Sequence, residues 1–396
     1  MNKLIIVIII LLTTPLNGFG VDIYVPSLPI VQQYFQTTSD LVQLSIGAYL
    51  LGFGLIQLIS GIICDHIGRR KPYIFGLIIY VIVTISITFV LNIYYLLLLR
   101  FIQGITVGIF VVSCRAIITD LFNGERLKKI ANYMSIAWSI GPIIAPMIGA
   151  YLQKYFSWHA NFYFLAIYGL ICVILFIIYV PETMQKNHNN KSQLTFNSVL
   201  HTYRIILFNY SFLISTAMMG ILYSVAILFN VVAPFLIENV MGYSVVFFGY
   251  IALLIGIVWF IGNIINRFTA KVDRRLKSKV CFIVIMSSMS FMLLASFFIK
   301  NNIYIIIIPY CISFCASGVI FSNYFAHNLS ILPSNISASG GAFMGALLIM
   351  ISAIFGSGFA SYLKANSSAT LAFGLFTLFT LALILRNLEF KFLKEV

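Results

Sequence analysis

Two residues of opposite charge stand inside apolar stretches of this sequence, where charge is costly. Asp22 closes a run that begins at Leu4, and Arg100 lies in another, Tyr94 to Thr119, which also carries Gln103, Gly104, Gly108 and Arg115. A carboxylate placed in hydrocarbon costs about 2.5–3.5 kcal/mol on insertion scales, so it calls for a partner or a task. The task open to it is proton exchange. Apolar surroundings favour a neutral carboxyl, a nearby guanidinium favours the charged one, and a change in their separation takes up or releases a proton. The plainer alternative is that Asp22 caps a helix end ahead of Pro26 and Pro29. On a helix from Leu4, Asp22 lies ~27 Å along, and Arg100 lies ~10 Å into a span entered from the same side, so the two are expected to pair.

A second dense patch of chemistry is Gly61-Ile-Ile-Cys-Asp-His-Ile-Gly-Arg-Arg-Lys71, with Asp65, Gly68, Arg69 and Arg70. No charge occurs from Leu41 to Ser60 or from Pro72 to Asn92, so this turn joins two spans. Glycines allow close packing there, and Asp65 can pair with Arg69 and Arg70. The result is a latch, to which Arg115 and Asp120 at the end of the Arg100 stretch are expected to contribute. A third stretch, Ser139 to Gly149, holds Pro142 and Pro146 with Gly141, Ala145 and Gly149, which predicts a bent helix that a neighbour approaches closely.

These residues need a membrane-spanning scaffold. The chain has 396 residues, 61% hydrophobic and 9% charged, with mean hydropathy +1.03, which excludes a soluble globular protein. Apolar runs too long for barrel strands leave helices, and about twelve of some 20 residues use most of the length. The fold class expected is all-α and polytopic. The net charge of +14 is topological. All lysines and arginines except Lys154, Lys300, Lys364, Arg100 and Arg115 fall in alternate connections or near the termini, which puts both termini in the cytoplasm and argues against a nucleic-acid partner.

Residues 1–182 and 206–396 read as two six-span halves, with 183–205 as a polar cytoplasmic linker. The halves rhyme: Gly262-Asn-Ile-Ile-Asn-Arg267 answers Gly61-Ile-Ile-Cys-Asp-His66, with Asn266 in place of Asp65 and the acid Asp273 falling later in the turn. Tyr24, Gln103, Tyr223 and Asn230 are candidates for a substrate cavity, though such residues are more often plain core or lipid contact. The six cysteines are spaced for neither disulfides nor zinc, and no metal site is expected. The five histidines lie at loops or span ends without the clustered partners a lipid-modifying enzyme would need, and no phosphate-binding loop supports an ATPase.

Together these motifs resemble the major facilitator superfamily, and within it the drug/proton antiporters of the bicyclomycin and chloramphenicol resistance (Bcr/CflA) type. The similarity rests on Asp22-Ile-Tyr-Val-Pro-Ser-Leu-Pro29, on the Gly61–Lys71 turn, and on Arg100-Phe-Ile-Gln-Gly104. It extends to Arg115-Ala-Ile-Ile-Thr-Asp120, to Gly141-Pro-Ile-Ile-Ala-Pro-Met-Ile-Gly149, and to Ala233-Pro-Phe235. Two departures stand out: Ala145-Pro146 where many antiporters carry two glycines, and His66 where arginine is common. The resemblance implies two six-helix bundles rocking about a central cavity. It also implies a monomer in a bacterial inner membrane that exports small amphipathic compounds in exchange for protons, driven by the proton motive force without a cofactor. The alternatives within the superfamily are a proton-coupled importer and a dedicated metabolite or siderophore exporter; the Gly61–Lys71 turn alone is common to uptake and efflux carriers, and the combination of motifs is more specific.

Overall fold

Long apolar runs satisfy their backbone internally as helices, and among its described residues the computed structural model has twelve helices long and apolar enough to cross a membrane. It describes residues 3–184, 203–332, 337–363 and 367–395. The spans are α1 (Lys3–Tyr34), α2 (Ser39–Ile67), α3 (Arg70–Ile87), α4 (Ile93–Leu121), α5 (Gly124–Tyr155) and α6 (Trp158–Tyr179), followed by α7 (Tyr210–Val240), α8 (Val245–Phe268), α9 (Arg274–Phe298), α10 (Ile303–Asn328), α11 (Ser339–Gly358) and α12 (Ser368–Lys391). Most of the polar stretch taken as a linker, 185–202, lies outside the described residues.

Side chains that are absent decide how closely the helices pack. A methyl group at Gly104 would come within 2.0 Å of the Tyr49 carbonyl oxygen, and one at Gly52 within 2.1 Å of the Phe101 oxygen, so these glycines form the seam between α4 and α2. Gly18 on α1 faces Pro142 and Gly141 of α5, and Gly149 faces the Ile23 carbonyl. The neighbour expected against the α5 glycines is therefore α1. The helix of α5 continues without interruption through Pro142 and Pro146.

Three spans carry irregular turns. In α1 the α-helix stops after Asp22, a 3₁₀ turn occupies Val25–Ser27, and helix resumes at Leu28, because Pro26 and Pro29 donate no backbone hydrogen bond. Wider π turns follow Pro234 in α7, at Phe235–Val240, and end α11 at Ala353–Gly358.

The two halves meet through α2 on α11, α5 on α8 and α1 on α7. Contact is continuous from the end opposite the basic turns to the middle. Gly47 N donates to Ser357 Oγ at 3.1 Å, and Ser357 donates to the Gln43 carbonyl at 2.6 Å. The Tyr151 and Tyr250 hydroxyls lie 2.6 Å apart, Gly256 packs on Ile143, and Gly54 packs on Met350. Nearer the basic end these contacts thin out: the Tyr203 hydroxyl still donates to the Leu58 carbonyl at 3.0 Å, but nothing lies within 4 Å of a methyl group built on Gly61, and Tyr133, Ile136 and Ile140 of α5 are exposed.

Candidate functional site

Both charged residues of the first paragraph are buried near the meeting of the halves, Asp22 at 3% exposure and Arg100 at 0%. They do not form an ion pair. Asp22 Oδ1 accepts a hydrogen bond of 3.1 Å from Asn230 Nδ2, which reaches it from α7 in the other half. The carboxylate therefore does not act as a helix cap.

Arg100 is held by its own half. Its Nη1 donates to the Gly20 carbonyl at 2.8 Å and to Gln103 Oε1 at 2.6 Å, while Gln103 Nε2 donates to Thr84 Oγ1 at 2.7 Å. The guanidinium carbon lies 4.5 Å from the Tyr49 ring centre, 5.4 Å from that of Tyr24 and 5.9 Å from that of Phe162. Aromatic faces carry negative charge density and suit a desolvated cation. Arg100 Nε and Nη2 remain buried with no acceptor. The expected pairing with Asp22 is replaced by backbone, amide and aromatic contacts, because Gly20 brings the α1 backbone to Arg100 while the Asp22 carboxylate points across to α7.

This arrangement redistributes the cavity candidates. Gln103 is committed to Arg100 and Thr84, Tyr24 is fully buried against Arg100 and Phe162, and Asn230 bonds Asp22. Tyr223 is half-buried on α7. Thr84 and Tyr49 were not legible as site residues, since neither hydroxyl nor ring departs from what an ordinary span contains.

At the basic end of the first half, Arg69 bridges two acids: Nη1 lies 2.5 Å from Asp65 Oδ1 and Nε 3.1 Å from Asp120 Oδ2. Thr183 Oγ1 donates to the same Asp120 oxygen at 3.2 Å. The expected latch lacks one feature of this cluster, Glu182. Its Oε1 accepts from the Arg69 backbone N–H at 2.9 Å and its Oε2 from that of Arg70 at 3.1 Å, with Thr183 and Met184 N–H groups also on Oε1 at 3.0 Å. The carboxylate thus satisfies the first N–H groups of α3, where the helix dipole favours negative charge. Burial works against the charge, but these backbone donors outweigh it and hold the Glu182 carboxyl below its usual range. Its sequence signal is an acid directly after the sixth span, in Pro181-Glu182-Thr183.

Gly68 has φ +91°, and a side chain there would run into Glu182 Oε2, so its freedom from a Cβ is used. Arg70 Nη2 donates to the Ile177 carbonyl at 2.9 Å. Two expected members stand apart: Gly61 faces open space, and Arg115 is exposed and pairs with neither Asp65 nor Asp120. Five residues along a helix turn about 500°, which puts Arg115 and Asp120 roughly 140° apart on α4.

The second half has its own version. Asp273 caps α9 by accepting from the Leu276 N–H at 3.0 Å, and Lys277 Nζ donates to Asn266 Oδ1 at 3.0 Å. The counter-charge comes from the last span: Glu389, fully buried, lies 2.5 Å from Arg274 Nη1. Arg274 also sits over the rings of Tyr324 and Phe390.

A family model described as Major Facilitator Superfamily matches residues 10–357. The chain is 25% identical over 364 residues to a bicyclomycin resistance protein homolog of Haemophilus influenzae, covering 90% of this chain and 89% of that one. It is 26% identical to an MFS-type transporter of Bacillus subtilis named YdgK, over 86% and 84% of the two chains. A D-xylose-proton symporter structure superposes with TM-score 0.75 at 14% identity, over 97% of each chain, which is a likeness of fold.

Proposed function

The chain belongs to the Major Facilitator Superfamily and is a multi-pass membrane transporter, and from that premise we propose that it exports small amphipathic compounds in exchange for protons. The observation that carries this is Asp22, a buried carboxylate on α1 that touches the opposite half and has a buried arginine on a neighbouring span. A carboxylate at the junction of two moving bodies can couple its protonation to their relative position, since proton and substrate then favour opposite states of one site. The relationship to a bicyclomycin resistance homolog supports drug-like cargo and outward transport.

The chain works as a monomer in the bacterial inner membrane, with the basic turns and both termini in the cytoplasm. In that orientation the contacts between α2 and α11 and between α5 and α8 close the outer side, and the cytoplasmic side is the open one. The energy source is the proton motive force; no cofactor is required. Arg69 with Asp65, Asp120 and Glu182 would hold the cytoplasmic ends of α2, α3, α4 and α6 as one body while the halves rock.

The test is accumulation of a panel of fluorescent and antibiotic compounds in cells expressing wild type or Asp22→Asn, with and without a protonophore. Wild type should lower accumulation several-fold, and either the protonophore or Asp22→Asn should abolish the effect. Full proton-driven export by Asp22→Asn would overturn the proposal.

A further inference from the structure

The site contains an acceptor and donors that do not meet. Asp22 spends Oδ1 on Asn230 of the other half, while Arg100 keeps two buried donor nitrogens, Nε and Nη2, without an acceptor. Buried donors on a cation are costly to leave unmade, so a nearby carboxylate is their natural partner. What keeps the carboxylate from them is a contact that exists only while α1 touches α7. That contact lies on the side where the halves are closed, alongside the Gly47–Ser357 and Tyr151–Tyr250 hydrogen bonds.

We infer that Asn230 is the positioning residue that draws Asp22 away from Arg100 when the halves close at the end opposite the basic turns, and that Asp22 changes partner to Arg100 when they part. The inference rests on the proton-coupling reading of Asp22 and names the device that performs it. In the closed arrangement the carboxyl faces a neutral amide, which bonds a carboxylate through its NH₂ and a carboxylic acid through its carbonyl. In the parted arrangement it faces a guanidinium, which favours the charged form. Protonation therefore favours closure. A proton taken by Asp22 from the outer solution releases Arg100 and lets α1 dock on Asn230; the same proton leaves to the opposite side once the site opens toward the basic end.

The other groups around the pair are consistent with this division. Tyr24 of α1 and Tyr49 on α2 lie against Arg100, and the other titratable groups near enough to interact electrostatically are Tyr80 on α3 with Arg100 and Tyr223 on α7 with Asp22. The α5 residues against this part of α1, Gly141, Pro142 and Gly149, carry no titratable group. Asp22 and Arg100 are the only charged members of the set.

The experiment uses full-length protein in lipid nanodiscs, with native cysteines replaced and spin labels at Lys154→Cys and Lys300→Cys, one exposed position per half near the closed end. Distance distributions are recorded from pH 5 to 9. Wild type should shift toward the short distance on acidification. Asn230→Ala should lower the closed fraction at acidic pH at least threefold and flatten its pH dependence, and Asn230→Gln, which retains an amide, should restore both. Asn230→Leu, close in volume, repeats the test should the alanine variant fold poorly. A wild-type pH dependence in Asn230→Ala or Asn230→Leu, with Asp22→Asn flat, overturns the role of Asn230 alone. A wild-type pH dependence in Asp22→Asn overturns the proton-coupling reading, and this inference with it.

Discussion

The basic ends of the two halves solve one problem with different chemistry. Each must hold a turn rich in arginine and lysine against the ends of two further spans. In the first half the charges are spread over a network: Arg69 bridges Asp65 and Asp120, and Glu182 binds the backbone at the start of α3. These side chains are partly solvated, and water limits what each pair contributes. In the second half the acid is the fully buried Glu389, paired with Arg274, while Asn266 holds Lys277 as a neutral acceptor and Arg386 donates to Ser278 Oγ and to the Arg275 carbonyl. Water and alternative partners soften the loss of any one charge in the first half, whereas removing Arg274 leaves a buried carboxylate without its ion-pair partner.

That contrast is open to direct tests. The largest effect should come from Arg274→Ala, which strands Glu389 in the interior; removing one partner of a buried pair costs about 3–5 kcal/mol. In detergent, its thermal transition should fall well below that of wild type, and the double variant Arg274→Ala with Glu389→Leu should recover a good part of the loss. A single variant as stable as wild type would show that the pair is not what anchors α12.

A smaller effect separates the two glycines that correspond in the repeat. A methyl group at Gly262 would come 2.3 Å from the Cys315 carbonyl oxygen, and Gly262→Ala should cost about 1–3 kcal/mol through displacement of α10. Gly61→Ala meets nothing within 4 Å and should be neutral or slightly stabilising, by up to about 1 kcal/mol, since alanine favours helix. Equal losses for the two would remove the distinction between a packed and an open turn.

The smallest effect is one of pH. Glu182 titrates below its usual range when folded, so its contribution to the first latch is complete above the ordinary glutamate pKa of 4.5. It is lost as pH falls through the lower folded value. Wild type should lose stability across that acidic window, and Glu182→Gln should show a shallower loss. An identical acid profile for the two would mean that the backbone donors do not stabilise the Glu182 charge.

Much of the architecture was legible because membrane physics leaves little choice. Apolar runs of about 20 residues must be helices, and the repeat of Gly61–Asp65 in Gly262–Asn266 marked the two halves. The latch was legible in part: the sequence shows charges that can pair, but Arg115 shows that being near in sequence to Asp120 does not make a residue its neighbour. Glu182 and Glu389 could not be placed from sequence, because their partners Arg69, Arg70 and Arg274 lie more than 100 residues away along the chain.

Sequence by itself determined the twelve spans, the basic connections and the presence of a carboxylate and a guanidinium where hydrocarbon penalises both, since these follow from the local chemistry of each segment. Only tertiary structure decided which groups those two would bind. Both lie within the first half, and depth alone made them partners, yet the hydrogen bond that holds Asp22 comes from Asn230 in the second half, while Arg100 is taken up by Gly20, Gln103 and aromatic rings. Partner choice depends on which helices touch and how each is rotated, a property of the packed bundle that no single span encodes.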